Sequence, residues 1–276
     1  MTASSRGIGG KMLPNAIISL DLGFTELNVH MYGLMIAIGV LGTFITLTLG
    51  GKKFGINENF LDFTFFLGIG AIVIGFLSAS LFQSVYNYIE NPEAGFQFGE
   101  SMTFMGGLIG GVVCFLVVYF AVRSKLHGRL IDILSLVPCC ITIAHGFGRI
   151  GCFFAGCCYG IETDSFLGVK FPKLPNPVHP TMLYEAAFLF ILFGVMLFLL
   201  LKYDFRHNMS VYLISYGVFR FLLEFIRGDH RGELVSGISP SQFWSIPMVL
   251  LGIGLIFLMN YLQPKRDAEK AAGKFV

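Results

Sequence analysis

Arg149 stands at the end of an apolar run, inside the stretch His145–Gly160 (HGFGRIGCFFAGCCYG), which also holds three cysteines and five glycines. A second charged group, Arg220, Glu224 and Arg227, lies in another apolar run. A charge inside a bilayer segment costs about 2.5–3.5 kcal/mol on insertion scales, so it is expected to face an interior cavity with a partner. The spacing of Arg220, Glu224 and Arg227, i, i+4 and i+7, places all three on one helical face. One carboxylate neutralises one arginine, so with Arg149 a net positive cavity is expected. Guanidinium groups pair bidentately with phosphate, which suits an anionic head group. The plainer alternative is a structural Arg220–Glu224 ion pair.

Cys152, Cys157 and Cys158 are spaced C-x4-C-C, with His145 seven residues upstream of Cys152. On a continuous helix His145 and Cys152 would be two turns, roughly 10 Å, apart. A direct Cys–His nucleophilic pair would therefore need a broken helix. The ligand types allow zinc, but the usual C-x2-C pairs are missing, and no metal is expected. A disulfide from Cys152 to one of the adjacent pair, a reactive thiol and simple packing remain open. Cys114, Cys139 and Cys140 lie within apolar runs and read as packing. Tyr32, Tyr184 and Tyr216 read as interfacial residues or as hydroxyl donors to a phosphate. Gly106, Gly107, Gly110 and Gly111 give a smooth helix face, for packing or for lipid contact.

The elements that carry these residues are membrane helices. The chain has 276 residues, 55% hydrophobic and 13% charged, about half the charge usual for a soluble domain. Seven runs are long enough to span a bilayer: 31–50, 59–85, 104–122, 130–150, 181–201, 209–226 and 241–262. The fold class is all-α: a polytopic membrane protein, a bundle of about seven transmembrane helices with a small extracytoplasmic head. No repeat or long linker divides it. A single membrane domain, 1–276, is expected, with an extracytoplasmic arm over 1–30, the bundle over 31–262 and a basic tail over 263–276. No cleavable signal segment is evident, so the first helix is expected to direct insertion.

Lysine and arginine concentrate in alternate connections. One set holds Lys52, Lys53, Arg123, Lys125, Arg129, Lys202, Arg206 and the tail's Lys265, Arg266, Lys270 and Lys274. The opposite set holds only Arg6, Lys11, Lys170, Lys173, Arg227 and Arg231. The positive-inside rule then puts the N-terminus outside and the C-terminus in the cytoplasm. It also gathers Arg149, Arg220, Glu224, Arg227, His179, Tyr184 and Tyr32 towards the outer side.

Several segments carry a family resemblance, in order along the chain. The run Gly148–Gly160 resembles the signature of bacterial prolipoprotein diacylglyceryl transferases. Met31-Tyr32-Gly33-Leu34-Met35 is similar to that family's first-helix tyrosine motif, and Phe104-Met105-Gly106-Gly107-Leu108-Ile109-Gly110 to its histidine-glycine-glycine helix start. His179-Pro180-Thr181-Met182-Leu183-Tyr184-Glu185 resembles its His-Pro-x-x-Leu-Tyr-Glu element. The segment Tyr216–Arg227 resembles the sixth-helix motif, and Ser241–Met248 the start of the seventh helix. The likeness covers about residues 25–262.

The resemblance implies seven helices, an external N-terminus and a bacterial plasma (inner) membrane. It implies transfer of the diacylglyceryl group of phosphatidylglycerol to the lipobox cysteine of a pre-lipoprotein, forming a thioether and releasing glycerol phosphate. No cofactor and no nucleic-acid partner are expected. Arg149 and Arg220 would bind the phosphate or stabilise its charge, Glu224 would orient Arg220, and Arg227 would add positive potential. Tyr32, Tyr216 and Gly160 match functional positions, His145 is a candidate acid/base, and Gly106, Gly107, Tyr184 and His179 are candidate lipid contacts. Three positions depart from the pattern: Met105 replaces the family's histidine, Cys152 an asparagine, and Cys157 an often acidic residue. They leave two alternatives, an enzyme of this fold using Cys152, Cys157 or Cys158 in thiol chemistry on another donor or acceptor, and a non-catalytic lipid-binding protein.

Overall fold

The computed structural model describes residues 17–21, 26–96, 98, 104–228 and 238–271. Arg6, Lys11, Arg231 and Lys274, which entered the charge reading, lie outside the described residues. Two strands, β1 (Ile17–Asp21) and β2 (Glu26–His30), pair antiparallel in the N-terminal arm, with Ile17 opposite His30. The other main elements are helices: α1 (Met31–Lys53), α2 (Glu58–Glu90), α3 (Phe104–Val122), the short α4 (Leu130–Ile133), α5 (Val137–Ala155), α6 (Thr181–Tyr203), α7 (Asn208–Leu223) and α8 (Pro240–Ala271). Among the described residues, seven helices are long and apolar enough to cross a membrane. The protein is an all-α polytopic membrane protein.

Two compact units are distinguished. One comprises residues 51–132, essentially the α2–α3 hairpin. Asn57 caps α2 by accepting a hydrogen bond from the Phe60 amide at 3.3 Å. At 33 residues α2 is about 50 Å long, well beyond a bilayer's hydrocarbon core. The glycines of α3 let the two backbones approach. A β-carbon on Gly106 would meet Phe82 Cβ at 2.7 Å, and one on Gly107 would meet Ala79 Cβ at 3.2 Å. Ser78 also donates a hydrogen bond to the Gly106 carbonyl at 2.8 Å. Phe66, Phe76 and Ile89 point outward, as expected of side chains that face lipid.

The other unit comprises residues 1–50 and 133–274 and holds α1 and α5–α8. The sequence predicts one helix over 130–150. The structure instead breaks it between α4 and α5, and Pro138 enters the first turn of α5, where a missing N–H costs nothing. The helix then runs past the predicted end to Ala155, and Gly156 closes it in a left-handed conformation, φ 65°. The last helix also exceeds expectation, since α8 carries the predicted basic tail in helical form as far as Ala271.

Buried polar groups fix the helix registers in this unit. Asn208 is fully buried at the start of α7 and donates to the carbonyls of Ser135 at 3.0 Å and Met196 at 3.1 Å. It thereby ties the α4–α5 junction, α6 and α7 together through the two N–H donors of a side chain that would be costly to bury unbonded. At Gly217 a β-carbon would lie 2.8 Å from Val249 Cγ2 and 3.2 Å from the Ser245 carbonyl, so α7 and α8 are in close backbone contact there. Between α5 and α6 the chain folds into a small head. Its isolated bridges pair Glu162 and Val169 with Val178, over a core of Phe171, Val178 and Met182.

Candidate functional site

Glu185 is the centre of the polar network. It lies in the second turn of α6 and is 1% exposed. Arg149 Nε approaches one carboxylate oxygen at 3.0 Å. Tyr216 donates its hydroxyl to the other at 2.7 Å, and His145 Nε2 is 3.6 Å from that same oxygen. His145 and Arg149 are one turn apart on α5, so both reach the same acceptor on α6. A carboxylate this deeply buried requires such partners. The sequence reading quoted Glu185 within a motif but gave it no role. The available signal was an ionisable residue four positions into an apolar helix.

A ladder on α7 continues the network. Tyr212, Tyr216, Arg220 and Glu224 recur at four-residue intervals, and the two tyrosine rings stack at 5.7 Å. Arg220 is held on two sides, by Glu224 at 2.6 Å through Nη1 and by Ser241 of α8 at 2.6 Å through Nη2. The close approach at Gly217 brings Ser241 within reach one turn further along. The ion pair read from the i, i+4 spacing is therefore present.

The shared face predicted for Arg220, Glu224 and Arg227 is not fully formed. The α-helix ends at Leu223, a 3-10 turn covers Glu224–Ile226, and Arg227 is extended at φ −84° and ψ 138°. Arg227 instead forms an antiparallel bridge with Gly160. The expectation of one carboxylate among three arginines is also corrected: Arg149 has Glu185 and Arg220 has Glu224. Each guanidinium keeps further donors beyond these contacts. Arg149 is the more open, with a side chain 19% exposed against 9% for Arg220.

Gly160 joins the head to the helix ends. Its amide donates to the His179 carbonyl at 2.7 Å, and the next amide, of Ile161, donates to the Ile226 carbonyl at 3.0 Å. A β-carbon at Gly160 would strike the Ile226 carbonyl and come within 2.8 Å of Thr181 Cγ2 and 2.9 Å of His179 Cβ. Gly160→Ala is therefore expected to lower the unfolding free energy by about 1–3 kcal/mol through overpacking, read as a lower melting temperature in detergent. An unchanged melt would show that the Ile226–Arg227 strand yields freely.

His179 and Tyr184 bond to each other, Nδ1 to hydroxyl oxygen, at 3.0 Å. Tyr32 lies over the helix end that carries Arg149, since a β-carbon on Gly151 would meet its ring at 3.0 Å. Met105 falls in the first turn of α3, and Gly106 and Gly107 are used in the α2–α3 contact described above.

The helix break that a direct His145–Cys152 pair would need does not occur. Both lie within the continuous α5, so the structure makes no His145–Cys152 pair. The cysteines instead gather around the helix end, Cys152 in the last turn of α5 and Cys157 and Cys158 just beyond it. The sulfurs of Cys152, Cys157 and Cys158 lie within 4.8 Å of one another, and no disulfide links them. Hydrogen bonds from Cys152 and Cys157 pull the Cys158 thiol below the ordinary cysteine range, and Arg227 and Arg149 act in the same direction against burial. Cys157, bonded to Cys152 and Cys158, is pushed up. Cys139 and Cys140 are buried, as expected for packing residues.

Arginine–carboxylate pairs buried between apolar spans mark a polytopic membrane protein with a candidate functional site among its helices. The family model for prolipoprotein diacylglyceryl transferase matches residues 19–258, and the chain belongs to that family. The chain is 39% identical to the phosphatidylglycerol–prolipoprotein diacylglyceryl transferase of Clostridium tetani over 236 residues, covering 82% of this chain and 92% of that one. It is 32% identical over 255 residues to transferase 2 of Clostridium perfringens, covering 87% and 94%. With the Pseudomonas fluorescens Pf-5 transferase it shares 32% identity over 277 residues, covering 94% and 100%.

Proposed function

We propose that this protein transfers the diacylglyceryl group of phosphatidylglycerol to the lipobox cysteine thiol of a pre-lipoprotein. Full-length similarity to relatives named for that reaction carries this reading, and it favours neither the thiol-chemistry nor the lipid-binding alternative. The acceptor sulfur attacks the glyceryl carbon, the carbon–oxygen bond to phosphate breaks, and glycerol phosphate leaves. As it leaves, the phosphate gains one negative charge. Preorganised donors aimed at developing charge lower the barrier because they need not reorganise.

In this reading Arg149 receives the phosphate through the donors not directed at Glu185, and Arg220 supplies a second fixed positive charge. Glu185 and Glu224 hold the two guanidiniums in place without consuming all their donors. The acceptor thiol must lose its proton to react. His145 is the candidate base, and the Glu185 carboxylate beside it stabilises the imidazolium that forms. Tyr216 holds Glu185, and Tyr32, Tyr184, His179 and Arg227 line the approach. Gly106 and Gly107 enter by allowing the α2–α3 contact, and Gly160 by seating Arg227. The distribution of lysine and arginine supports an external N-terminus and a cytoplasmic tail, which puts the reaction at the outer leaflet.

The test is the purified protein in nanodiscs containing phosphatidylglycerol, supplied with a lipobox peptide. A thioether-linked diacylglyceryl peptide and free glycerol phosphate are expected in equal amounts. Folded protein that forms neither product would overturn the reading.

A further inference from the structure

We infer that Cys152, Cys157 and Cys158 form a three-thiolate site for a zinc-class divalent cation. This goes beyond diacylglyceryl transfer and does not depend on it. Sequence spacing alone disfavours such a site, because C-x4-C-C is not a pair of C-x2-C knuckles. The chain path supplies what the spacing lacks. Gly156 ends α5 in a left-handed turn at φ 65°, and Cys158 is itself left-handed at φ 64°. A cysteine in that region is strained by of order 1–3 kcal/mol, and such strain persists only where surrounding bonds impose it.

Here the Thr181 hydroxyl donates to the Cys158 carbonyl at 2.7 Å, while the Cys157 amide returns to the Cys152 carbonyl at 3.2 Å. The two reversals fold the segment back over the helix end and bring all three sulfurs within 4.8 Å of one another. Around a tetrahedral zinc with bonds of about 2.3 Å, ligand sulfurs stand roughly 3.8 Å apart. Closing the cluster onto an ion therefore asks for side-chain movements of about an ångström or less.

All three thiols are partly exposed, so an ion can enter without unfolding the helix. Three protein ligands leave a fourth position for water or an exogenous donor. Binding displaces the protons that the thiols still carry, and one divalent cation with three thiolates carries a net charge of −1. Thiolate ligands select zinc, cadmium or copper(I) over magnesium or calcium.

The experiment titrates the reduced, metal-free, full-length protein in detergent with cadmium, followed by its thiolate charge-transfer absorption and then by zinc competition. One ion per chain is expected. Cys157→Ser and Cys158→Ser should each weaken binding by at least about 10-fold, as loss of one of three ligands implies, while Cys114→Ser should leave it unchanged. Zinc should also protect these three wild-type cysteines from maleimide, read peptide by peptide in a mass spectrometer, so the test does not rely on the variants folding. Absent stoichiometric binding, equal affinity in the serine variants, or recovery of a disulfide among the three from protein purified without reductant would each overturn the site.

Discussion

Arg149→Ala is expected to lower diacylglyceryl transfer by at least about 100-fold, the usual cost of removing one donor from developing negative charge. The variant also strands Glu185. That carboxylate is 1% exposed, and its principal countercharge is the Arg149 Nε at 3.0 Å. Removing one partner of a buried pair costs about 3–5 kcal/mol because the other charge is left without compensation. The single variant therefore confuses lost chemistry with lost stability. Adding Glu185→Gln separates them. The glutamine keeps the shape and still accepts from Tyr216, but it no longer needs a cation. The double variant should melt closer to wild type than Arg149→Ala and remain inactive. If it recovered transfer, Arg149 would be structural, and its assignment to the phosphate would fall.

The second large effect is expected at Arg220. Its guanidinium is gripped by Glu224 and Ser241, each at 2.6 Å, from two different directions. Lysine keeps the charge but cannot present two nitrogens in a fixed fork. Arg220→Ala should again cost at least about 100-fold, and Arg220→Lys should fall between that and wild type. Ser241→Ala is the sharper probe, because it leaves every charge in place. Losing one hydrogen bond to a charged group, about 1.5 kcal/mol, predicts roughly a 10-fold drop. Transfer rates measured across a range of phosphatidylglycerol concentrations would reveal it. A Ser241→Ala enzyme with the wild-type rate would mean that Glu224 alone sets the orientation of Arg220.

Composition and helix length made the seven spans readable, because a bilayer leaves few other solutions for long apolar runs. The Arg220–Glu224 pair was readable for a similar reason, since four residues along a helix is a contact distance. What escaped the sequence depends on how different elements meet. Glu185 became central only once α5 and α7 had brought Arg149, His145 and Tyr216 to it. Ser241 acquired a role through the close approach at Gly217. The helix end at Leu223 was hidden because nothing in Leu223-Glu224-Phe225-Ile226 breaks a helix. It is the pairing of Arg227 with Gly160, far away in sequence, that draws the chain into an extended form.

The tie made by Asn208 bears on where a lipid can enter. Asn208 and Tyr216, eight residues or about 12 Å apart on α7, are both bonded to α6, one through the Met196 carbonyl and the other through Glu185. Two polar anchors at different heights make α6 and α7 a braced strut. Sliding or rotating one helix against the other breaks both anchors at once, in surroundings with no water to replace them. Under the proposed function, a two-chain phospholipid is therefore not expected to part this seam on its way to Arg149. Its doorway is expected where helices meet through apolar side chains alone and lipid can take their place without stranding a polar group.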